Sequence, residues 1–272
     1  MKRLLSGIIL GIIFLFSSFS YALSEEMLPP WEYPVAPEIL ENKAGYITMV
    51  NQNSLLEEDY EPHDLVNLTV KKVSSMASQM RKAASDAMIE MFNAAKEDGY
   101  QLYVKSAYRS YRTQKTMYYN RLEEYGRDDG VVIFPGASDH QTGLGVDILN
   151  YSWSKKRGMR PEFGKDEEAI WMAEHCHEFG FIIRYMADKQ KITGIIYEPW
   201  HLRYVGIEAA TYIMKNGLSL EEFDIEWKQY IKDYEAQGGD FQELLAIRSA
   251  QKPAIVVEVT EDGDEEIVLF YE

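Results

Sequence analysis

Hydrophobic and polar positions divide the chain into an apolar head, a proline-broken stretch, and a long region where helical and strand periods alternate. Lys2 and Arg3 precede an apolar run from Leu4 to Phe16, and Ser20-Tyr21-Ala22 forms a small-x-small cleavage pattern. This layout predicts a secretory signal peptide over residues 1–22 and an exported protein of the cell envelope or extracellular space. Counted on to Ala22, the run approaches the ~20 residues of a bilayer span, so a membrane tether through an uncleaved N-terminus is the minority reading. Pro29, Pro30, Pro34 and Pro37 predict an extended linker over residues 23–44.

Beyond it, Tyr46 to Val50 has strand character, and Val73 to Glu97 reads as a helix. Met76, Met80, Met88 and Met91 fall on that helix at helical spacing, as core filler. Gln101–Tyr108 reads as a strand, Thr113–Tyr125 as a helix ended by Gly126, and Gly143–Leu149 as a short strand. An amphipathic helix follows over Asp166–Phe179, closed by Gly180, then a strand at Phe181–Ile183. From Leu218 the character changes. Ser219 and Glu222 make a capping box, and Phe223, Trp227, Tyr230 and Tyr234 keep helical spacing as far as Gly238-Gly239. Two apolar runs around Asp262-Gly263 then signal a hairpin. The expected main domain is 45–217, with 218–272 as a C-terminal appendage.

Composition changes this picture in three ways. Hydrophobic residues make up 46%, enough for a real core. Cys176 is the only cysteine, so no intrachain disulfide forms, and the residue reads as a small buried apolar group. Acidic residues number 44 against 28 basic, a net charge of −16 that excludes nucleic acid as a natural partner. Against that background Lys105, Arg109, Arg112, Lys115, Arg121 and Arg127 cluster in one short region. They form either a solvated helix face or a local patch for an anionic substrate group.

The candidate chemistry lies in two short stretches. His140 and Asp147 are separated by Gly143 and Gly145, which favours a loop turning into a strand over one continuous helix. In such a strand Val146 and Ile148 share one face and Asp147 takes the other. An aspartate inside an apolar strand is costly unless paired or bound to a cation. Alone, this pair is as readily a satisfied buried Asp and an ordinary loop His. The second stretch decides it. Pro199 biases Glu198 toward extended backbone, from which His201 can join the same metal. Imidazole and carboxylate suit Zn2+. His140, Asp147 and His201 are the expected ligands. Glu198 is left over as a base that takes a proton from water and passes it to a leaving amine. His175 and His177 are two apart on a predicted helix and do not share a face, so they are expected away from the metal.

These stretches resemble the VanY-type D-alanyl-D-alanine carboxypeptidases, zinc metallopeptidases of bacterial cell-wall peptides. The resemblance lies in Ser106–Tyr111 with Gln114, Pro135–Leu144, and Ile192-Thr193-Gly194 through Tyr197–His201 to Gly206; Tyr60, Pro62 and Asp64–Val66 also match. Asp139, Gly145 and His63 depart from common family residues (Glu, Ala and an acidic residue) without removing a ligand. The resemblance implies an α+β fold of the hedgehog/DD-peptidase-like kind, with a small antiparallel sheet carrying the zinc site and helices packed around it. It also implies zinc on His140, Asp147 and His201, Glu198 as catalytic base, and Arg109 holding the substrate carbonyl or terminal carboxylate, with Ser138 and Gln114 as further substrate contacts. The implied activity removes the C-terminal D-amino acid from peptidoglycan stem peptides. The rivals are an L,D-carboxypeptidase trimming tetrapeptide to tripeptide, an endopeptidase cutting within the stem or cross-bridge, and a non-catalytic wall-binding module.

Overall fold

The computed structural model describes residues 28–74, 78–128 and 130–250, and the backbone of strands at 254–259 and 265–270. The expected signal peptide, the first linker residues, Met76 and the Asp262-Gly263 turn lie outside the described residues. The chain forms two compact units, Ile39–Glu226 and a second that combines the residues up to Glu38 with Trp227–Glu272.

The first unit opens in α1 (Pro37–Leu40), which begins on the other side of the boundary, and continues through β1 (Leu65–Asn67), β2 (Gln79–Arg81), α2 (Lys82–Glu97), β3 (Leu102–Ser106) and α3 (Tyr111–Tyr125). Next come β4 (Gly145–Asn150), α4 (Tyr151–Ser154), α5 (Glu167–His175), β5 (Phe181–Ile183), α6 (Gln190–Thr193), β6 (His201–Tyr204) and α7 (Ile207–Lys215). The chain ends with α8 (Leu220–Ala236), α9 (Phe241–Ala250), β7 (Ala254–Val259) and β8 (Glu265–Phe270). Four strands make an antiparallel sheet in the order β3-β4-β6-β5. Every residue of β4 is buried. Val146 and Ile148 enter the apolar core beside Met88 and Met91 of α2 and Trp171 and Met172 of α5. The alternation expected of this strand therefore holds, and the fold is the α+β arrangement that the resemblance implied.

Three local expectations give way to tertiary contacts. The helix expected from Val73 starts only at Lys82, because residues 79–81 pair with 65–67 as β2 and β1. Met80 is thus buried from a strand rather than from the helix. Tyr46–Val50 is not a strand. The Asn42 side chain accepts from the Ile47 N–H, and the Arg203 guanidinium donates to the carbonyls of Tyr46 and Thr48, so this backbone is satisfied without a neighbouring strand.

The stretch expected as an extended linker is also not free. In the second unit the Trp31 ring lies 4.9 Å from Tyr230, 5.4 Å from Tyr234 and 5.6 Å from Phe241. The Glu32 N–H donates to the Tyr230 hydroxyl, and Arg248 pairs with Glu38. Proline stops the segment from coiling, but aromatic burial fixes it. The capping box is realised: the Ser219 hydroxyl receives the Glu222 N–H, and the Glu222 carboxylate accepts from the Ser219 N–H. The two C-terminal strands pair antiparallel, as the hairpin signal implied.

Met88 is fully buried in the core at a distance in sequence from the candidate site. Met88→Ala is expected to lower unfolding free energy by about 2–5 kcal/mol in urea titration. A loss under about 0.5 kcal/mol would contradict the packing described.

Candidate metal centre and active site

Strand register builds the site. Asp147 of β4 stands directly opposite His201 of β6, so both side chains leave the same face of the sheet. The Asp147 Oδ1 and His201 Nδ1 atoms are 2.9 Å apart. His140 comes from the turn Asp139–Thr142, which Gly143 reverses at φ 69°. That backbone favours glycine, and a Cβ there would also lie 2.9 Å from Leu65. His140 Nε2 lies 3.3 Å from Asp147 Oδ2.

The remaining ring nitrogen of His140, Nδ1, is 2.7 Å from the Ala107 carbonyl. A carbonyl only accepts, so Nδ1 carries the proton and Nε2 presents a lone pair inward. The His140 carbonyl in turn receives the Arg109 N–H at 3.1 Å, stitching the turn to the loop after β3.

His140, Asp147 and His201 are all buried, and one ligand atom from each lies within 4.8 Å of the others. Zinc–ligand bonds of about 2.0–2.2 Å set tetrahedral ligand–ligand separations of roughly 3.3 Å. Here His140 Nε2 is 3.3 Å from one Asp147 oxygen and His201 Nδ1 is 2.9 Å from the other, so the three groups converge on one point and need open only slightly to admit the ion. The donor set of two imidazoles and one carboxylate fits zinc chemically. His140 Nε2, an Asp147 carboxylate oxygen and His201 Nδ1 are the atoms that would hold it.

Glu198 lies three residues before His201, whose N–H donates to the Glu198 carbonyl at 3.0 Å, while the Glu198 N–H donates to the Tyr185 carbonyl. Burial pushes its carboxyl up to about 7; Asp147 reinforces this, and His201 and Arg109 oppose it. Burial holds Arg109 below its ordinary value, against the pull of Asp147 and Glu198. Burial would also raise Asp147, but the two imidazoles outweigh it and hold the carboxylate well below the usual range.

Arg109 is aimed by two neighbours. It donates to Gln114 Oε1 at 2.7 Å and to Ser106 Oγ at 2.8 Å, and Gln114 Nε2 donates to the Ile133 carbonyl at 2.6 Å. Gln114 thus acts on Arg109, with both ends of its amide already engaged. A register irregularity between Val104 and Ser106 brings Ser106 opposite Asp147. Ser138 is buried just before the His140 turn.

The rest of the basic cluster stays outside: Lys105, Arg112, Lys115 and Arg127 are exposed, and Arg121 covers the Tyr125 ring. His175 pairs with Glu178, and neither it nor His177 belongs to the metal-capable cluster. Cys176 is fully buried, and burial pushes its thiol up to about 12.

Sequence reasoning missed Ser106, Tyr185, Arg184 and Arg203 and gave Asp139 no role. Tyr185 packs against His201 at 5.1 Å between ring centroids. Asp139 is fully buried, with Arg184 Nε donating to one oxygen at 2.9 Å and Arg203 to the other. Burial would raise its carboxyl, but the two guanidiniums hold it below the ordinary range. The strand period was the available signal, since Arg203 follows His201 by two positions and so shares its face.

Sheet, ligand triad and buried carboxylate define a zinc metallopeptidase centre. The family described as VanY D-alanyl-D-alanine carboxypeptidase matches residues 77–207. The Bacillus subtilis protein YodJ is 40% identical over 191 residues, 68% of this chain and 69% of its own. Among solved structures, the LdcB LD-carboxypeptidase superposes with a TM-score of 0.61 at 41% identity, over 64% of this chain and 83% of that one. A glutamate-to-alanine form of the vancomycin-resistance D,D-pentapeptidase VanY, solved with Zn(II), gives 0.55 at 34% identity over 65% and 98%. The chain belongs to the VanY carboxypeptidase family.

Replacing His140 by Ala is expected to strip the metal. Metal analysis after dialysis should find stoichiometric zinc in the parent protein and little in the variant. Full zinc content in the variant would remove His140 from the ligand set.

Proposed function

We propose that this enzyme is a D,D-carboxypeptidase that removes the C-terminal D-amino acid from peptidoglycan stem peptides. The observation that carries the reading is the meeting of His140, Asp147 and His201 on one sheet face, with Glu198 and Arg109 in electrostatic reach. Zinc, when bound there, polarises a carbonyl and brings the pKa of a water to about 7. Arg109, aimed by Ser106 and Gln114, donates charge-assisted hydrogen bonds to the terminal carboxylate or the scissile carbonyl. Ser138 is a second substrate contact, and Gln114 serves the substrate through Arg109. A Glu198 carboxylate oxygen takes the proton from water and delivers it to the leaving amine nitrogen. Half-burial of Arg109 and near-complete burial of Glu198 strengthen both interactions.

The signal-like head supports export to the envelope or beyond; among the described residues no helix is long and apolar enough to cross a membrane. An L,D-carboxypeptidase is the second reading, supported by the likeness to LdcB.

Purified protein incubated with stem pentapeptide and tetrapeptide, with and without chelator, separates the two by product mass. Loss of one residue from pentapeptide alone supports the first reading; shortening of tetrapeptide alone supports the second. If neither peptide is cut, both go. Glu198→Ala should abolish turnover with zinc retained, and full activity in it would contradict the role of Glu198.

The pH dependence follows from the raised Glu198 carboxyl. The base works only when ionised, so kcat/KM should climb with pH. A bound dication lowers that pKa, so the climb should level off below about pH 7. A kcat/KM that falls as pH rises from about 5 to 7 would contradict a carboxylate base.

A further inference from the structure

We propose that Asp139 is a positioning residue for His201, holding the imidazole so that Nδ1 faces the metal, and that Glu221 of α8 sets Asp139 through Arg184. The inference rests on the zinc site described above.

A neutral imidazole that binds metal through Nδ1 carries its proton on Nε2, and that proton needs an acceptor. His201 Nε2 is buried without a hydrogen-bond partner, and an acceptor that faces it is Asp139 Oδ2 at 3.9 Å. That span is longer than a hydrogen bond and short enough to close by a small ring movement or one bridging water.

Asp139 has little freedom to be anywhere else. Arg184 and Arg203 each take one of its oxygens. Arg203 is tied to the Tyr46 and Thr48 carbonyls, and Arg184 donates to both Glu221 oxygens, at 2.6 and 2.8 Å. Two guanidiniums and two carboxylates form a balanced cluster. Buried ion networks are weak devices for stability, because desolvation offsets most of their attraction. What this one does achieve is a fixed negative charge behind a metal ligand.

Gly145 points the same way. Its φ is not in the left-handed region, so its backbone does not require glycine. A Cβ there would instead lie 2.8–3.0 Å from Asp139 atoms, so the missing side chain is what lets Asp139 approach β4. Glu221 lies beyond the family-matched segment, which ends at residue 207. α8, beyond that segment, thus reaches Asp139 through two charge pairs, Glu221 with Arg184 and Arg184 with Asp139.

The test compares Asp139→Asn, Glu221→Gln and Gly145→Ala with the parent chain, and with Met88→Ala as a core variant of reduced stability. Zinc affinity is read by competition with a chromophoric chelator, geometry from the visible spectrum of the cobalt-substituted protein, and turnover as kcat and KM. Asp139→Asn is expected to weaken zinc binding by about 10- to 100-fold, alter the cobalt spectrum, and lower kcat with KM little changed. Glu221→Gln and Gly145→Ala should act in the same direction and more weakly, while Met88→Ala keeps parental zinc affinity. If Asp139→Asn does not fold, the other two variants decide.

Zinc affinity within about twofold of the parent and an unchanged cobalt spectrum in the folded variants would overturn the proposal, as would an equal loss in Met88→Ala. A parent protein that binds zinc but cuts neither peptide sinks the hydrolytic reading alone and leaves this comparison intact.

Discussion

A carboxylate buried in the middle of a sheet governs this molecule. Asp147 stands on a strand whose six residues are all buried, where an isolated charge would be ruinous. It is tolerable because one oxygen meets His140 and the other meets His201. The need to satisfy that group dictates the β4–β6 register, the tight turn before β4, and the position of both imidazoles. A one-residue slip of β6 would carry His201 to the core face and leave Asp147 with a single partner.

Around this centre the charges are layered. Glu198 and Arg109 stand beside it, and Ser106 and Gln114 fix the guanidinium from behind. Asp139, Arg184 and Arg203 form a second, fully buried cluster, with the partly buried Glu221 at its edge. The same apolar surroundings that raise the Glu198 carboxyl make every misplaced charge expensive, so reactivity and precision share one cause. Membership of the VanY family agrees with this construction, since the family-matched segment holds His140, Asp147, His201, Glu198 and Arg109.

Much of this was legible along the chain. The spacing of His140, Asp147, Glu198 and His201 announced a metal site because few other arrangements make buried polar groups affordable. Gly143, the Ser219–Glu222 capping box and the alternation through Val146, Asp147 and Ile148 are local signals, and each formed the element it implied. Where long-range pairing competed with local propensity, local reading failed. Residues 79–81 look helical beside Lys82–Glu97, yet β1 offers them a strand partner. Tyr46–Val50 looks like a strand, yet Arg203 from far along the chain takes its carbonyls.

The sequence by itself thus determined the metal chemistry, the family and the alternation of the central strand, because those depend on residue type and short spacing. Only the tertiary structure decided which groups stand behind the ligands and that the proline-rich stretch is clasped by aromatic rings in its own unit. It alone showed that a helix beyond the matched segment contributes Glu221 to the charge cluster around Asp139. Those facts depend on contacts between residues as far apart as Asp139 and Glu221. Sequence spacing carries no distance information at that range, and only a folded core brings such groups within a few ångströms.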